Sequence, residues 1–258
     1  FFVQARRSSP RAQGERRMFL AGAIDYDAGR TTKSPGDRGK PFPALHWAAA
    51  ESATIAKLAA NNHIPVVWLK DDQATKTAVL DRIGDSQYIH FATHAYVSGE
   101  PAFGLRGRGW AIGTVHQWSR NVLVDTGVAL SGANVRDPET LTTAGTLSAE
   151  ELMSSNLRSS DLVVLSACGS GLGADAEGQG LLGLRSAFLA GGARRLLLSL
   201  WNVDDKATDI LMAAFYRALW SAEGSVVTAL HKAQSEVREV SRYRAPKYWA
   251  GWVVVDPE

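Results

Sequence analysis

Two side chains in this sequence could perform nucleophilic chemistry together: the lone cysteine, Cys168, and the histidine His94. Each closes an apolar run that reads as a β-strand, Tyr88-Ile-His-Phe-Ala-Thr93 before His94 and Asp161-Leu-Val-Val-Leu-Ser-Ala167 before Cys168. In a parallel sheet, catalytic groups collect at the carboxyl ends of strands. The thiolate is the reactive form of cysteine, and a nearby imidazole favours it. The same imidazole can return a proton to a leaving amine, because its ordinary pKa lies near neutrality. Cys168 is followed by Gly169-Ser-Gly171-Leu-Gly173. Glycines let the backbone approach a substrate closely and turn an amide, such as that of Gly169, toward an oxyanion. A cysteine ending a buried strand also packs as a small hydrophobe. The residues alone leave both roles open.

Other chemistry is weaker. His90 and His94 are four apart but sit on a strand, so they do not share a helical face at metal-ligand spacing, and His90 reads as a core or sheet-face histidine. One cysteine and no HExxH pattern argue against zinc, and no metal site is expected. Gly171-Leu-Gly173-Ala-Asp-Ala176 matches GxGxxA after a strand, with Arg194 and Arg195 about twenty residues on, as an NADP-binding turn would have. It lies in a late strand, however, and not in the first βα unit.

The elements that must position these residues alternate between apolar runs and amphipathic stretches, the signature of a parallel sheet flanked by helices. Strands are expected at Met18 to Ile24, Val66 to Leu69, Tyr88 to Thr93, Asp161 to Ala167, Arg195 to Leu200 and Trp252 to Val255. Helices are expected at Leu45 to Ala60, Ala74 to Ile83, Gly180 to Ala190, Ala207 to Trp220 and Ser225 to Val240. A loop rich in Gly, Pro and Lys runs from Asp27 to Pro43. Ser148 and Glu151 are spaced as a capping box. The glycine-rich stretch 97–146 breaks the alternation and reads as an insertion of loops or a hairpin beside the sheet, with one strand candidate, Val122 to Leu130.

With 258 residues and 45% apolar composition, the chain supports one α/β domain with a full core, here residues 18–258. Arg6, Arg7, Arg11, Arg16 and Arg17 make residues 1–17 a basic tail or linker. A net charge of +2 is too mild to argue for nucleic acid. No apolar run approaches the roughly 20 residues that span a bilayer, and no signal-peptide core is evident. A single cysteine forms no internal disulfide, which fits a cytoplasmic protein. The chain opens on Phe1 with no methionine, so a longer parent protein is expected.

Several segments resemble the CHAT domains, caspase-like peptidases often found behind tetratricopeptide repeats. They are Gln73-Ala-Thr-Lys76, Tyr88-Ile-His-Phe-Ala-Thr-His94, Leu147-Ser-Ala-Glu-Glu-Leu152, Asp161-Leu-Val-Val-Leu-Ser-Ala-Cys168, Gly180-Leu-Leu-Gly-Leu184, Ala187-Phe-Leu-Ala-Gly-Gly-Ala193, Ser199-Leu-Trp-Asn-Val-Asp-Asp205 and Tyr248-Trp-Ala250. They keep the family's order over residues 45 to 255 or so.

The resemblance implies a caspase-like α/β fold, a mostly parallel central sheet with helices on both faces. It also implies a cysteine endopeptidase that works through a thioester acyl-enzyme with neither metal nor organic cofactor. His94 and Cys168 take the dyad positions, and the backbone N–H groups of Ala95, Cys168 and Gly169 the oxyanion hole. Ala95 stands where relatives usually carry glycine. The Leu-Trp-x-Val-x-Asp stretch resembles the specificity-pocket segment of relatives, including separases, which assigns substrate binding to Asp205, Asp204 and Trp201. A carboxylate there selects arginine or lysine. One of the two aspartates is equally suited to capping the following helix. Trp110, Asp175 and Glu177 are further candidates for the groove. The expected partners are a protein substrate and a regulatory protein or upstream repeat domain, in bacterial defence or signalling. A caspase-like scaffold with an idle dyad is the competing expectation.

Overall fold

The computed structural model describes residues 16–30, 42–97, 122–135, 144–166, 177–221 and 224–256. Nine strands are formed among them: β1 (Met18–Ile24), β2 (Val66–Asp71), β3 (Tyr88–Ala92), β4 (Ala95–Val97), β5 (Thr126–Ala129), β6 (Thr146–Ser148), β7 (Leu162–Leu165), β8 (Leu196–Ser199) and β9 (Trp252–Val255). Seven α-helices join them: α1 (His46–Asn61), α2 (Lys76–Ile83), α3 (Val122–Asp125), α4 (Ala149–Met153), α5 (Glu177–Ala190), α6 (Asp205–Leu219) and α7 (Val226–Glu239). The main sheet has six strands in the order β2-β1-β3-β7-β8-β9. Five are parallel, and β9 runs antiparallel to β8 at one edge.

Parallel strands need cover on both faces, and alternation along each strand supplies it. Phe19, Ala21, Ile89, Phe91, Val163 and Leu165 face a core completed by Val79 of α2, Leu152 of α4 and Phe188 of α5. Met18, Leu162, Val164 and Leu197 face the opposite core, with Ile55 of α1, Phe215 and Tyr216 of α6 and Ala233 of α7. The α/β architecture expected from the sequence is therefore present, with helices on both faces.

Helix ends follow local chemistry. Thr75 caps α2 by accepting from Ala78 N–H. Ser148 and Glu151 form the expected capping box on α4, and Glu151 also accepts from Lys76 Nζ at 2.8 Å, tying α4 to α2. Ser225 and Thr228 make a second such box on α7.

The expected strand from Val122 to Leu130 needs correction. Residues Val122–Asp125 form the single helical turn α3, and only Thr126–Ala129 extend as β5. A short apolar run carries no periodicity that separates one turn of helix from strand. Here α3 packs against α4 and α5. The hairpin expected beside the sheet takes the form of a separate antiparallel sheet, β4-β5-β6. Its first strand begins directly after His94.

Candidate active site

The sheet order reverses between β1 and β3, the kind of switch point at whose carboxyl ends α/β proteins hold ligands. β3 and β7, whose ends lead to His94 and Cys168, are paired neighbours. Cys168 and Gly169 lie outside the described residues, as do Trp110, Asp175, the GxGxxA stretch and the side chain of Glu177.

His94 is 1% exposed and wrapped in aromatic rings, with Tyr26 at 5.1 Å and Phe42 at 5.7 Å between centroids. Its Nε2 lies 2.7 Å from the Pro43 carbonyl oxygen. A carbonyl only accepts, so Nε2 carries the proton and Nδ1 is the basic nitrogen of the neutral ring. Pro43 is held there by Asn134, whose side chain accepts from Phe42 N–H and donates to the Phe42 carbonyl. Beneath the ring, Thr93 Oγ1 donates to the Ala129 carbonyl at 2.5 Å, so the Tyr26 hydroxyl donates to Thr93 Oγ1 at 2.8 Å. Burial pushes Tyr26 up to about 12, which keeps this hydroxyl protonated.

Sequence reasoning did not single out Tyr26, Phe42, Pro43, Thr93 or Asn134. The signal available was Pro41-Phe42-Pro43, an aromatic pinned between two prolines inside an otherwise polar loop.

Burial also holds His94 below its ordinary value of 6.5, partly offset by the Pro43 hydrogen bond. As the pH falls, the unfolded ring takes up its proton before the folded one does. His94 thus contributes stability that is present above about pH 6.5 and lost on acidification. The unfolding free energy of the wild type, measured by urea titration at stepped pH, is expected to fall more steeply below pH 6.5 than that of His94→Asn. Parallel slopes would refute this account.

The Ala95 amide follows from strand pairing. Ala129 N–H donates to the His94 carbonyl at 2.9 Å, so His94 and Ala129 form a hydrogen-bonded pair. Bonded and non-bonded pairs alternate along an antiparallel ladder. The next pair, Ala95 and Val128, is therefore non-bonded, and the Ala95 N–H points away from β5, to the side of β4 that pairs with no other strand among the described residues.

The expected specificity residues separate. Asp204 is the N-cap of α6 and accepts from the amides of Lys206 and Ala207, both at 3.1 Å. Asp205 is exposed on the first turn, and burial, then Asp204, then Glu51 raise its pKa. Trp201 is 39% exposed, its Nε1 donating to the Lys247 carbonyl and its ring lying against Gly251. His90 is a core residue, as the sequence suggests: Nδ1 lies 3.0 Å from the Tyr216 hydroxyl and Nε2 lies 3.1 Å from Glu51 Oε1. Among the described residues no group of three or more His, Cys, Asp or Glu could hold a metal ion. No helix among them is long and apolar enough to cross a membrane.

Comparison with known proteins adds the following. The CHAT domain family profile matches residues 3–256. Tetratricopeptide repeat protein 28 of Mus musculus is 26% identical over 193 residues, 72% of this chain and 8% of that protein. Its Homo sapiens counterpart is 34% identical over 76 residues, 30% of this chain and 3% of that protein. The chain thus matches a small part of these relatives' length. Two solved structures are similar: the Arg-specific cysteine proteinase gingipain R, and protein GSU0716 from Geobacter sulfurreducens. Gingipain R gives a TM-score of 0.48 at 10% identity, covering 93% of this chain and 46% of that one. GSU0716 gives 0.45 at 13%, covering 94% and 92%.

Proposed function

Because the chain belongs to the CHAT domain family, we propose that it is a cysteine endopeptidase, one domain over residues 18–258, in which Cys168 attacks a peptide carbonyl with His94 as base. The observation that carries this reading is the His94 ring: tautomer fixed by Pro43, pKa lowered by burial, just past the end of a strand paired with the one that leads to Cys168. In the acylation step His94 Nδ1 takes the thiol proton and the sulfur bonds to the carbonyl carbon. The Ala95, Cys168 and Gly169 amides receive the oxyanion. Collapse breaks the C–N bond, His94 protonates the leaving amine, and a thioester remains. Water, deprotonated by His94, then releases the acid and restores the thiol.

Substrate selection falls to Asp205 and Trp201, both exposed. Asp204 is spent on the helix cap, which leaves Asp205 as the carboxylate that can meet an arginine or lysine before the cut. Repeat domains of the kind named in the relatives are the proposed source of gating.

One observation favours a second reading, a binding scaffold with an idle dyad: His94 is almost wholly enclosed. Iodoacetamide separates the two. A thiolate paired with imidazole is expected to alkylate at least about 10-fold faster than free cysteine at pH 7, and peptides ending in arginine to be cleaved in preference to those ending in aspartate. Slow labelling with no cleavage of either peptide would leave the scaffold.

A further inference from the structure

On the α1–α6 face, at the carboxyl ends of the strands, buried polar oxygens gather without hydrogen-bond partners. Both carboxylate oxygens of Glu51, the hydroxyls of Ser52, Ser166 and Thr208, and Asp209 Oδ1 are buried with no hydrogen-bond partner. The first four of these residues are 0% exposed. Their elements converge. Ala92 pairs with Gly22, and Phe91 with Leu165, so Ala92 and Ser166 are neighbours on the face that His90 also occupies. Ser52 descends onto that floor so closely that a Cβ on Gly22 would lie 2.2 Å from its hydroxyl. Thr208 and Asp209 come from α6, which packs against α1. Asp205, one turn above them, senses the Glu51 charge.

Buried polar atoms in folded proteins are ordinarily paired, and an ionised carboxylate offers about four acceptor sites. Among the described residues the ion-pair partner of Glu51 is His90 Nε2 at 3.1 Å, without an aligned hydrogen bond. The hydroxyls of Ser52, Ser166 and Thr208 donate at most one bond each, fewer than the carboxylate and hydroxyl oxygens can accept, so the seam holds a surplus of acceptors. Its complement is a planar cation with several outward N–H donors. A guanidinium presents five in a fixed fork, an ammonium only three.

We propose that the α1–α6 seam binds a guanidinium group, with Glu51 as its central carboxylate, Thr208, Ser52 and Ser166 as its side acceptors, and Asp205 and Asp209 at its mouth. The occupant it is built for is an arginine side chain, accepted in preference to lysine. The naming of a peptide arginine rests on the peptidase reading; the chemistry of the seam does not.

The test uses agmatine, a free guanidinium probe, titrated calorimetrically into the Cys168→Ala chain, and cleavage of peptides ending in arginine, lysine or uncharged citrulline by chains with Cys168 intact. Glu51→Gln, which keeps the side-chain shape, is expected to weaken agmatine binding by at least about 10-fold and to erase the preference for arginine over citrulline. Thr208→Val, which keeps the packing, is expected to weaken it by about 3-fold. Circular dichroism and cooperative melting establish that each variant is folded; if Glu51→Gln fails to fold, Thr208→Val decides. Agmatine that does not bind, or binds equally to both folded variants, overturns the proposal and leaves those oxygens to ordered water. Cys168-dependent cleavage after arginine that is indifferent to Glu51→Gln overturns the seam and leaves the peptidase standing. Agmatine binding that needs Glu51, with no cleavage of any peptide, does the reverse.

Discussion

Alanine at either Cys168 or His94 is expected to lower kcat/KM on an arginine-ending peptide by roughly 10³–10⁴-fold, and alanine at both to lower it hardly further. In the proposed mechanism Cys168 contributes the electron pair that makes the thioester, so its loss removes the covalent path. In that mechanism His94 is the base: its proton sits on Nε2, donated to the Pro43 carbonyl, so the basic lone pair is confined to Nδ1. Without the ring the thiol keeps its proton and the leaving amine has no acid. The two groups act on one proton, and residues acting as a unit show strongly non-additive losses. The pH profile carries an independent signature. His94 lies below 6.5, so the acid limb of kcat/KM is expected below that value in the wild type, not at it. Full additivity of the two single losses, or cleavage that survives Cys168→Ala, would remove the dyad.

The strands were legible because their apolar runs are bounded and their faces alternate. Phe19, Ile89, Phe91 and Val163 point to one core while Met18, Leu162 and Val164 point to the other, and a sheet buried on both sides reads as continuous hydrophobicity. The caps at Ser148 and Asp204 were legible because a cap is a local bargain between a side chain and amides two or three residues on. What holds His94 was not. Pro43 reaches it across 51 residues of sequence and Tyr26 from just beyond the end of β1, while Asn134 acts through Phe42, across 92 residues. Nothing in the composition of the Asp27 to Pro43 loop distinguishes a carbonyl that orients an imidazole from one that faces water. Glu51 was hidden for a similar reason. It sits on an alanine-rich helix where a single charge reads as solvent-facing, yet it is fully buried against His90.

The small sheet links these two lessons, because it is the element the sequence rendered least well and the one that sets the Ala95 amide. Its middle strand carries Gly127, paired with Tyr96 on one side and Ser148 on the other. A Cβ there would lie 2.2 Å from the Leu147 carbonyl oxygen, 2.9 Å from the Leu147 carbonyl carbon and 2.7 Å from the Tyr96 hydroxyl. The two Leu147 contacts are to backbone on the neighbouring strand, which can yield only if β5 and β6 part. Gly127→Ala is therefore expected to destabilise the chain by about 3 kcal/mol, the upper end of the usual overpacking cost. Because β5 also holds the His94 carbonyl through Ala129 N–H, the folded fraction is expected to lose activity through kcat more than through KM. Thermal unfolding and steady-state kinetics on the folded protein measure the two effects. Tyr96→Phe removes the hydroxyl contact but leaves both backbone clashes, so it is expected not to rescue Gly127→Ala. Rescue by that second change would mean that a side-chain collision, and not the closeness of β5 to β6, is what excludes a methyl group at this position.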